Sequence, residues 1–268
     1  MSAVLIVARG VFKESIRDRV AYNLVFFAVL LMAASFLLAQ LTAGQDVKII
    51  KDLGLAAATA IGVLIAVFIG IGLVAREVER RSIYSLISKP ITRSQFILGK
   101  YLGLSLTLVA NLAVMAVAYY LVLAYLDWVT PDNVKLGWEA PATDPRLLKA
   151  FALIGVELML VTAVALFFST FSSSFLSAAL TLAVYVIGHF GQDLRALGAA
   201  GASPALATLG RVLYFVFPNL VPLNVTAEVV HAQPVTLQHM LLATGSVALY
   251  IALLLVAAAL VFERRDFK

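Results

Sequence analysis

Cysteine is absent from the chain, so no disulfide framework, thiolate metal site or cysteine nucleophile is available. Charge is scarce as well. Asp, Glu, Lys and Arg make up 13% of the 268 residues, against about one-quarter in ordinary soluble domains. The three histidines, His189, His231 and His239, form no H-E-x-x-H pair and share no helix face with a carboxylate at ligand spacing, so no metal site is expected. No G-x-S-x-G elbow occurs. The one Gly-Lys pair, Gly99-Lys100, fails as a phosphate cradle because Ser94 stands where its first glycine would be and Tyr101 where Ser or Thr is needed. The chain therefore shows no catalytic, cofactor-binding or metal-ligating residue, and it is not expected to be an enzyme.

What the sequence has is apolar length. Hydrophobic residues make up 62% of the chain and the mean hydropathy is +1.00, the balance of a polytopic membrane protein. A bilayer core is roughly 30 Å thick and takes about 20 apolar residues as a helix. Six such segments can be drawn, at about 22–41, 55–75, 101–126, 147–169, 175–190 and 239–262. The expected fold is all-α: a single membrane domain over 1–268, with no soluble domain long enough to hold its own core.

Details along the chain refine this. Met1 to Ala21 reads as an amphipathic interfacial helix, with Val4, Ala8, Phe12, Ile16 and Val20 as its apolar stripe. The competing reading, a signal peptide, is disfavoured because the following apolar run exceeds the usual h-region of about 7 to 15 residues. Thr42 to Gly54 reads as a polar turn. In the second span Gly62, Ala66 and Gly70 recur at four-residue steps, candidates for close helix contact within or between subunits. The loop from Asp127 to Arg146 contains Pro131, Pro141 and Pro145, and Trp128 and Trp138 suit an interfacial belt. Thr170 to Ser174 is a tight uncharged turn, so spans four and five read either as separate crossings or as one helical hairpin. From Gly191 to Gln238 the apolar pattern is broken by Arg211, Pro218 and Pro222, and short or re-entrant helices on the outer face are expected between spans five and six.

Two polar residues interrupt the spans, Asn111 in the third and Glu157 in the fourth. A carboxylate near the bilayer midplane faces the bundle rather than lipid. Two roles stay open for it: a packing residue hydrogen-bonded to Asn111, or a group lining a substrate route.

Between spans two and three lies a dense charged block, Arg76 to Gly103. Val78, Ile83, Leu86 and Ile87 fall at helical spacing while Glu77, Glu79, Arg80 and Arg81 project elsewhere, which predicts a short amphipathic helix over about 77–88, ended by Pro90. Thr92 or Ser94 can cap the next helix. Six spans place both termini with this block on one side. That side holds thirteen of the 20 Lys and Arg residues, so the positive-inside rule assigns it to the cytoplasm. The net charge of +5 is accounted for by this placement, and no nucleic-acid partner is expected.

The run Glu77-x-Glu79-Arg80-Arg81-Ser82-Ile83-Tyr84-Ser85-Leu86-Ile87-Ser88-Lys89-Pro90-Ile91-Thr92-Arg93, followed by Phe96-x-Leu98-Gly99-Lys100, resembles the signature loop of ABC-2-type transporter permeases. Arg81-Ser82 stands where that family has Gly-Thr or Arg-Thr, and Thr92-Arg93 where it has Ser-Arg. The ending Arg264-Arg265-Asp266 is also similar to the family's. The resemblance implies the non-catalytic permease of an exporter-like complex in a bacterial or archaeal cytoplasmic membrane. By the same resemblance it pairs with a second permease copy or homologue, and ATP and Mg are bound by a separate ABC ATPase subunit. It further implies that 77–88 is a coupling helix, with Glu77, Glu79, Arg80, Arg81, Ser82, Tyr84 and Arg93 meeting the ATPase. A reading from another class is an ion-gradient-driven secondary transporter or channel using Glu157. Against it stand the lone intramembrane acid and the lack of a repeated broken-helix pattern.

Overall fold

The computed structural model describes residues 3–16, 19–39, 46–79, 92–191, 208, 210, 212–214 and 216–264. Among them the chain is all-helical, without strands: α1 Ala3–Ile16, α2 Arg19–Ala39, α3 Asp46–Glu79, α4 Arg93–Val129, α5 Asp132–Lys135, α6 Leu147–Ser169, α7 Ser174–His189, a 3-10 turn at Val221–Leu223, α8 Thr226–Val230 and α9 Leu237–Arg264. Four stretches are long and apolar enough to cross a membrane: Val47–Ile71, Arg93–Val129, Leu147–Ser169 and Leu237–Glu263. The chain is a multi-pass membrane protein.

Helices α3 and α6 form the centre and pack on each other, α2 lies against α3 and α4, and α9 against α6 and α4. Small residues set that centre. An added Cβ at Gly62 would stand 2.6 Å from Leu158 Cδ1, and one at Gly70 3.3 Å from the Ala165 Cβ, so both glycines face α6 of the same chain. Ala66 between them is buried. By contrast, Val114, Val117 and Leu121 on α4 and Leu249, Leu253 and Val256 on α9 are exposed. Such apolar faces would be anomalous in water and are ordinary against lipid.

At 1.5 Å per residue, α3 and α4 are each about 50 Å long, well beyond a hydrocarbon core of roughly 30 Å. They define two ends of the bundle. At one, here the signature end, α4 begins and α9 finishes. The other is the loop end, where residues 130–146 lie.

Helix α3 starts at Asp46, so the polar turn expected over 42–54 is helical from residue 46 onward. The physical reason is partnership: Lys48 pairs with Glu139, and Lys51 Nζ donates to the Pro141 carbonyl at 2.8 Å, so charge does not end the helix. At its other end α3 runs unbroken to Glu79, which places Glu77 and Glu79 on the helix of the second span. Residues 80–88 of the expected coupling helix, Arg80, Arg81, Ser82 and Tyr84 included, lie outside the described residues.

Thr92 caps α4 in a capping box: its hydroxyl accepts from Gln95 N at 3.3 Å and Gln95 Oε1 accepts from Thr92 N at 3.2 Å. At the turn over 170–173, hydroxyls donate to carbonyls of the last turn of α6, Ser169 to Leu166, Thr170 to Phe167 and Ser172 to Phe168, the last two beside backbone N–H donors. Helix α7 then has 16 residues, about 24 Å, and falls short of the usual crossing length.

Helix α1 buries Ala8, Val11 and Ser15, and Val4, Phe12 and Ile16 of its apolar stripe are half-buried. Gly99 and Gly103 of α4 decide this. An added Cβ at Gly99 would stand 2.6 Å from Val7 Cβ, and one at Gly103 2.6 Å from the Ala8 carbonyl oxygen. Two glycines four apart open a channel on α4 into which α1 settles backbone-first.

Candidate functional site

The signature end joins two elements that are far apart in sequence. Arg93 Nη1 donates to the carbonyls of Phe262 at 3.1 Å and Glu263 at 3.0 Å, which binds the start of α4 to the finish of α9. A cation suits the partial negative charge of a helix C-terminus. The Phe96 and Phe262 rings stack beside it with centroids 6.0 Å apart, and Lys100 Nζ lies 5.0 Å from the Phe96 ring centre. Arg93, one of the expected ATPase-coupling residues, thus also fastens the bundle.

The loop end is knitted by polar contacts. Glu139 accepts from Lys48 and faces His231 Nδ1 at 3.1 Å. These partners, Lys48 first, hold its carboxyl below the usual carboxylate range. Arg146 donates to the Ala232 carbonyl, Lys149 Nζ to that of Val235 at 2.7 Å, and the Tyr120 hydroxyl to that of Asp144 at 2.9 Å. The loop before α6 and the segment after α8 are thereby closed on the ends of α3, α4 and α6.

Between this closure and the bundle centre lies a cavity of about 400 Å³. Asp52, Thr59 and Ala60 of α3, Ile154 and Glu157 of α6, Tyr185 and His189 of α7, and Leu223 to Thr226 of the short segment border it. Glu157 is the deepest polar group. It is 2% exposed and lies ten residues into α6, about 15 Å along the helix. The Tyr185 hydroxyl is within hydrogen-bonding reach of its carboxyl. His189 Nε2 stands 3.4 Å from Glu157 Oε1, yet Oε1 accepts no hydrogen bond.

The protonation of this contact follows from geometry. His189 Nδ1 is 3.1 Å from the Tyr185 carbonyl, which only accepts, so Nδ1 carries hydrogen. A neutral ring would then turn the Nε2 lone pair toward a carboxylate oxygen. The contact is attractive only when a second proton is present, on the ring or on the carboxyl.

Asn111 is not the partner of Glu157. Its Nδ2 is buried without a hydrogen-bond partner. Helix α4 meets α6 at Gly155, where Leu112 Cδ2 comes within 3.4 Å of an added Cβ, and two residues further on the α6 surface has turned by about 200°, toward α7. His189, Tyr185 and Asp52 were not foreseen as site residues. The available signal was a tyrosine and a histidine four apart in an apolar run, which places both on one helix face.

The description "ABC-2 family transporter protein" belongs to a family model that matches residues 5–267. The chain belongs to the ABC-2 transporter family. No curated protein matches it. Members of the ABC-2 family are permeases of ABC transporters and normally non-enzymatic membrane subunits, which implies a partner ATPase. On that footing the chain has two regions of interest: the signature end, where α3 leaves and α4 enters the bundle, and the cavity that reaches Glu157.

Proposed function

We propose that the chain is the transmembrane permease of an ATP-driven ABC transporter, moving its substrate through a route that includes the Glu157 cavity. The carrying observation is the family match over nearly the whole chain. In this reading the chain crosses a bacterial or archaeal cytoplasmic membrane six times, with α2 and the short α7 completing the four long spans, and both termini lie in the cytoplasm. A second copy or a homologue completes the pathway. ATP and Mg are held by a separate ATPase, which docks on residues 77–88.

Support for the docking comes from chemistry and position. The segment begins in the last turn of α3 and precedes the capped start of α4, so a push on it is delivered to two long helices whose far ends border the cavity closure. Glu77, Glu79, Arg80, Arg81, Ser82 and Tyr84 supply charge and hydrogen bonding there, and Arg93 passes motion on to α9 through its carbonyl contacts. The ion-gradient alternative draws no support from the family.

The test is co-expression of the chain with an ABC ATPase from the same genome, followed by purification through a tag on the chain. A stable complex whose ATP hydrolysis changes on reconstitution supports the proposal. An ATPase that neither co-purifies nor responds removes it.

A further inference from the structure

We propose that α1 holds the headgroup of an anionic phospholipid through Arg9 and Lys13, at the depth where α1 lies against the first turns of α4. Neither the permease reading nor the cavity enters into it.

Depth is read along α4. Gly99 faces Val4 and Val7 of α1, and Gly103 faces Ala8 and Val11, so the two helices run side by side in the same direction. At the loop end of α4, Tyr125 and Trp128 are 52% and 81% exposed, where an aromatic belt marks the edge of the hydrocarbon. From Trp128 back to Gly103 is about 25 residues, or roughly 38 Å of helix. A hydrocarbon core of roughly 30 Å then ends about 8 Å before Gly103, which places α1 in the opposite headgroup layer. The start of α2 agrees. Tyr22 and Phe26, just beyond α1 in the chain, are exposed, as suits residues at and inside the hydrocarbon edge.

The outward face of α1 chooses the ligand. Leu5, Arg9 and Lys13 follow at four-residue steps and are all exposed, with half-buried Phe12 and Ile16 beside them. Cations set among apolar side chains suit a boundary where stems lie on acyl chains and charged heads reach the phosphate layer. Partnership separates these two cations from the others. At the loop end Lys48 and Lys135 pair with carboxylates, and Lys51, Arg146 and Lys149 donate to backbone carbonyls. Arg93 does the same at the finish of α9. Among the described residues, Arg9 and Lys13 have no ion pair or side-chain hydrogen bond. Glu14, the acid of α1, is turned by about 100° from Lys13 and about 140° from Arg9. A zwitterionic headgroup offers two cations no net charge, whereas an anionic one does. An acidic face of an ATPase is the competing occupant, and the apolar neighbours Leu5, Phe12 and Ile16 favour lipid over it.

The experiment uses the full chain in a non-ionic detergent without any ATPase. Phosphatidylglycerol or phosphatidylcholine with the same acyl chains is titrated in, and native mass spectrometry measures the lipid retained. A cation near an anionic lipid surface contributes about five-fold in affinity, so two contribute about 30-fold. The parent should therefore prefer phosphatidylglycerol by about 30-fold or more. Arg9→Gln and Lys13→Gln should each lose about five-fold of its affinity for that lipid, and the double variant about 30-fold, with phosphatidylcholine held as before. Both positions are exposed, so the variants leave the packing of α1 on α4 in place. Lys135→Gln, at the loop end, should change neither lipid. No preference in the parent, an unchanged preference in the double variant, or an equal loss in Lys135→Gln would overturn the proposal. Unchanged lipid retention in the double variant together with weakened ATPase binding would assign the strip to the ATPase instead.

Discussion

The crossing of α1 over α4 gives the sharpest stability prediction. Replacing Gly103 by alanine places a Cβ 2.6 Å from the Ala8 carbonyl oxygen and 2.7 Å from Val11 Cβ, where ordinary contact begins at 3.4 Å. Neither atom is the movable tip of a side chain, so α1 itself must retreat by most of an ångström. Overpacking of this kind costs about 1–3 kcal/mol, while the alanine gains up to about 1 kcal/mol of helix propensity. The second effect is removed by comparison with Gly245→Ala, a helical glycine with nothing within 4 Å, which has the propensity gain alone. The difference between the two variants should therefore be about 1–3 kcal/mol, with Gly103→Ala the less stable. Gly62→Ala should fall between them, because the atoms it meets are the Leu158 methyls, which can turn away at about 0.5–1.5 kcal/mol. Unfolding in mixed micelles titrated with SDS measures all three. Equal stability of Gly103→Ala and Gly245→Ala would refute the backbone contact between α1 and α4.

Three further outcomes are expected. Glu157→Gln should keep the bundle within about 1 kcal/mol of the parent, because an amide N–H can donate to His189 Nε2, yet abolish substrate-stimulated ATP hydrolysis in the reconstituted complex; parental behaviour in both assays would remove Glu157 from the route. Ala232 has φ of 58°, a left-handed conformation that L side chains adopt at a cost of about 1–2 kcal/mol, so Ala232→Gly should stabilise the loop end, seen as a higher unfolding midpoint. Glu139 has its pKa lowered on folding, first by Lys48, so its contribution is present above the ordinary carboxylate range and lost as pH falls through the lowered folded value; the stability advantage of the parent over Glu139→Gln should disappear only in acid below the ordinary carboxylate range, read from unfolding midpoints against pH.

Much of this architecture is visible in the residues, and the exceptions have physical causes. The start of α4 is legible because a cap is a local device: Thr92 and Gln95 are three residues apart and need nothing else. Gly62, Ala66 and Gly70 announce a close helix contact by spacing alone, but spacing does not say what fills it, and Leu158 and Ala165 of the same chain turn out to do so at Gly62 and Gly70. The helical state of residues 46–54 could not be read, since it depends on Lys51 reaching a carbonyl 90 residues away at Pro141. The face that α1 turns to α4 is likewise set by distant residues. Hydrophobicity favours the stripe through Phe12, whereas the gap on α4 at Gly99 and Gly103 admits the face through Ala8 and Val11. In the cavity, Glu157 stands out as an acid in an apolar run. Its neighbours do not, because the rotation of Tyr185 and His189 toward it is set by the turn at 170–173 rather than by their own surroundings in sequence.

In the proposed function a separate ATPase works this membrane chain through residues 77–88. The deciding measurement is the affinity of an ABC ATPase from the same genome for the parent chain and for the Arg80→Glu, Arg81→Glu double variant, both in nanodiscs. Loss of charge-assisted contacts worth about 1.5–3 kcal/mol predicts binding weakened by ten- to a hundred-fold, with hydrolysis uncoupled from transport and the bundle intact. Parental affinity in the double variant, or no association with the parent chain at all, would contradict it.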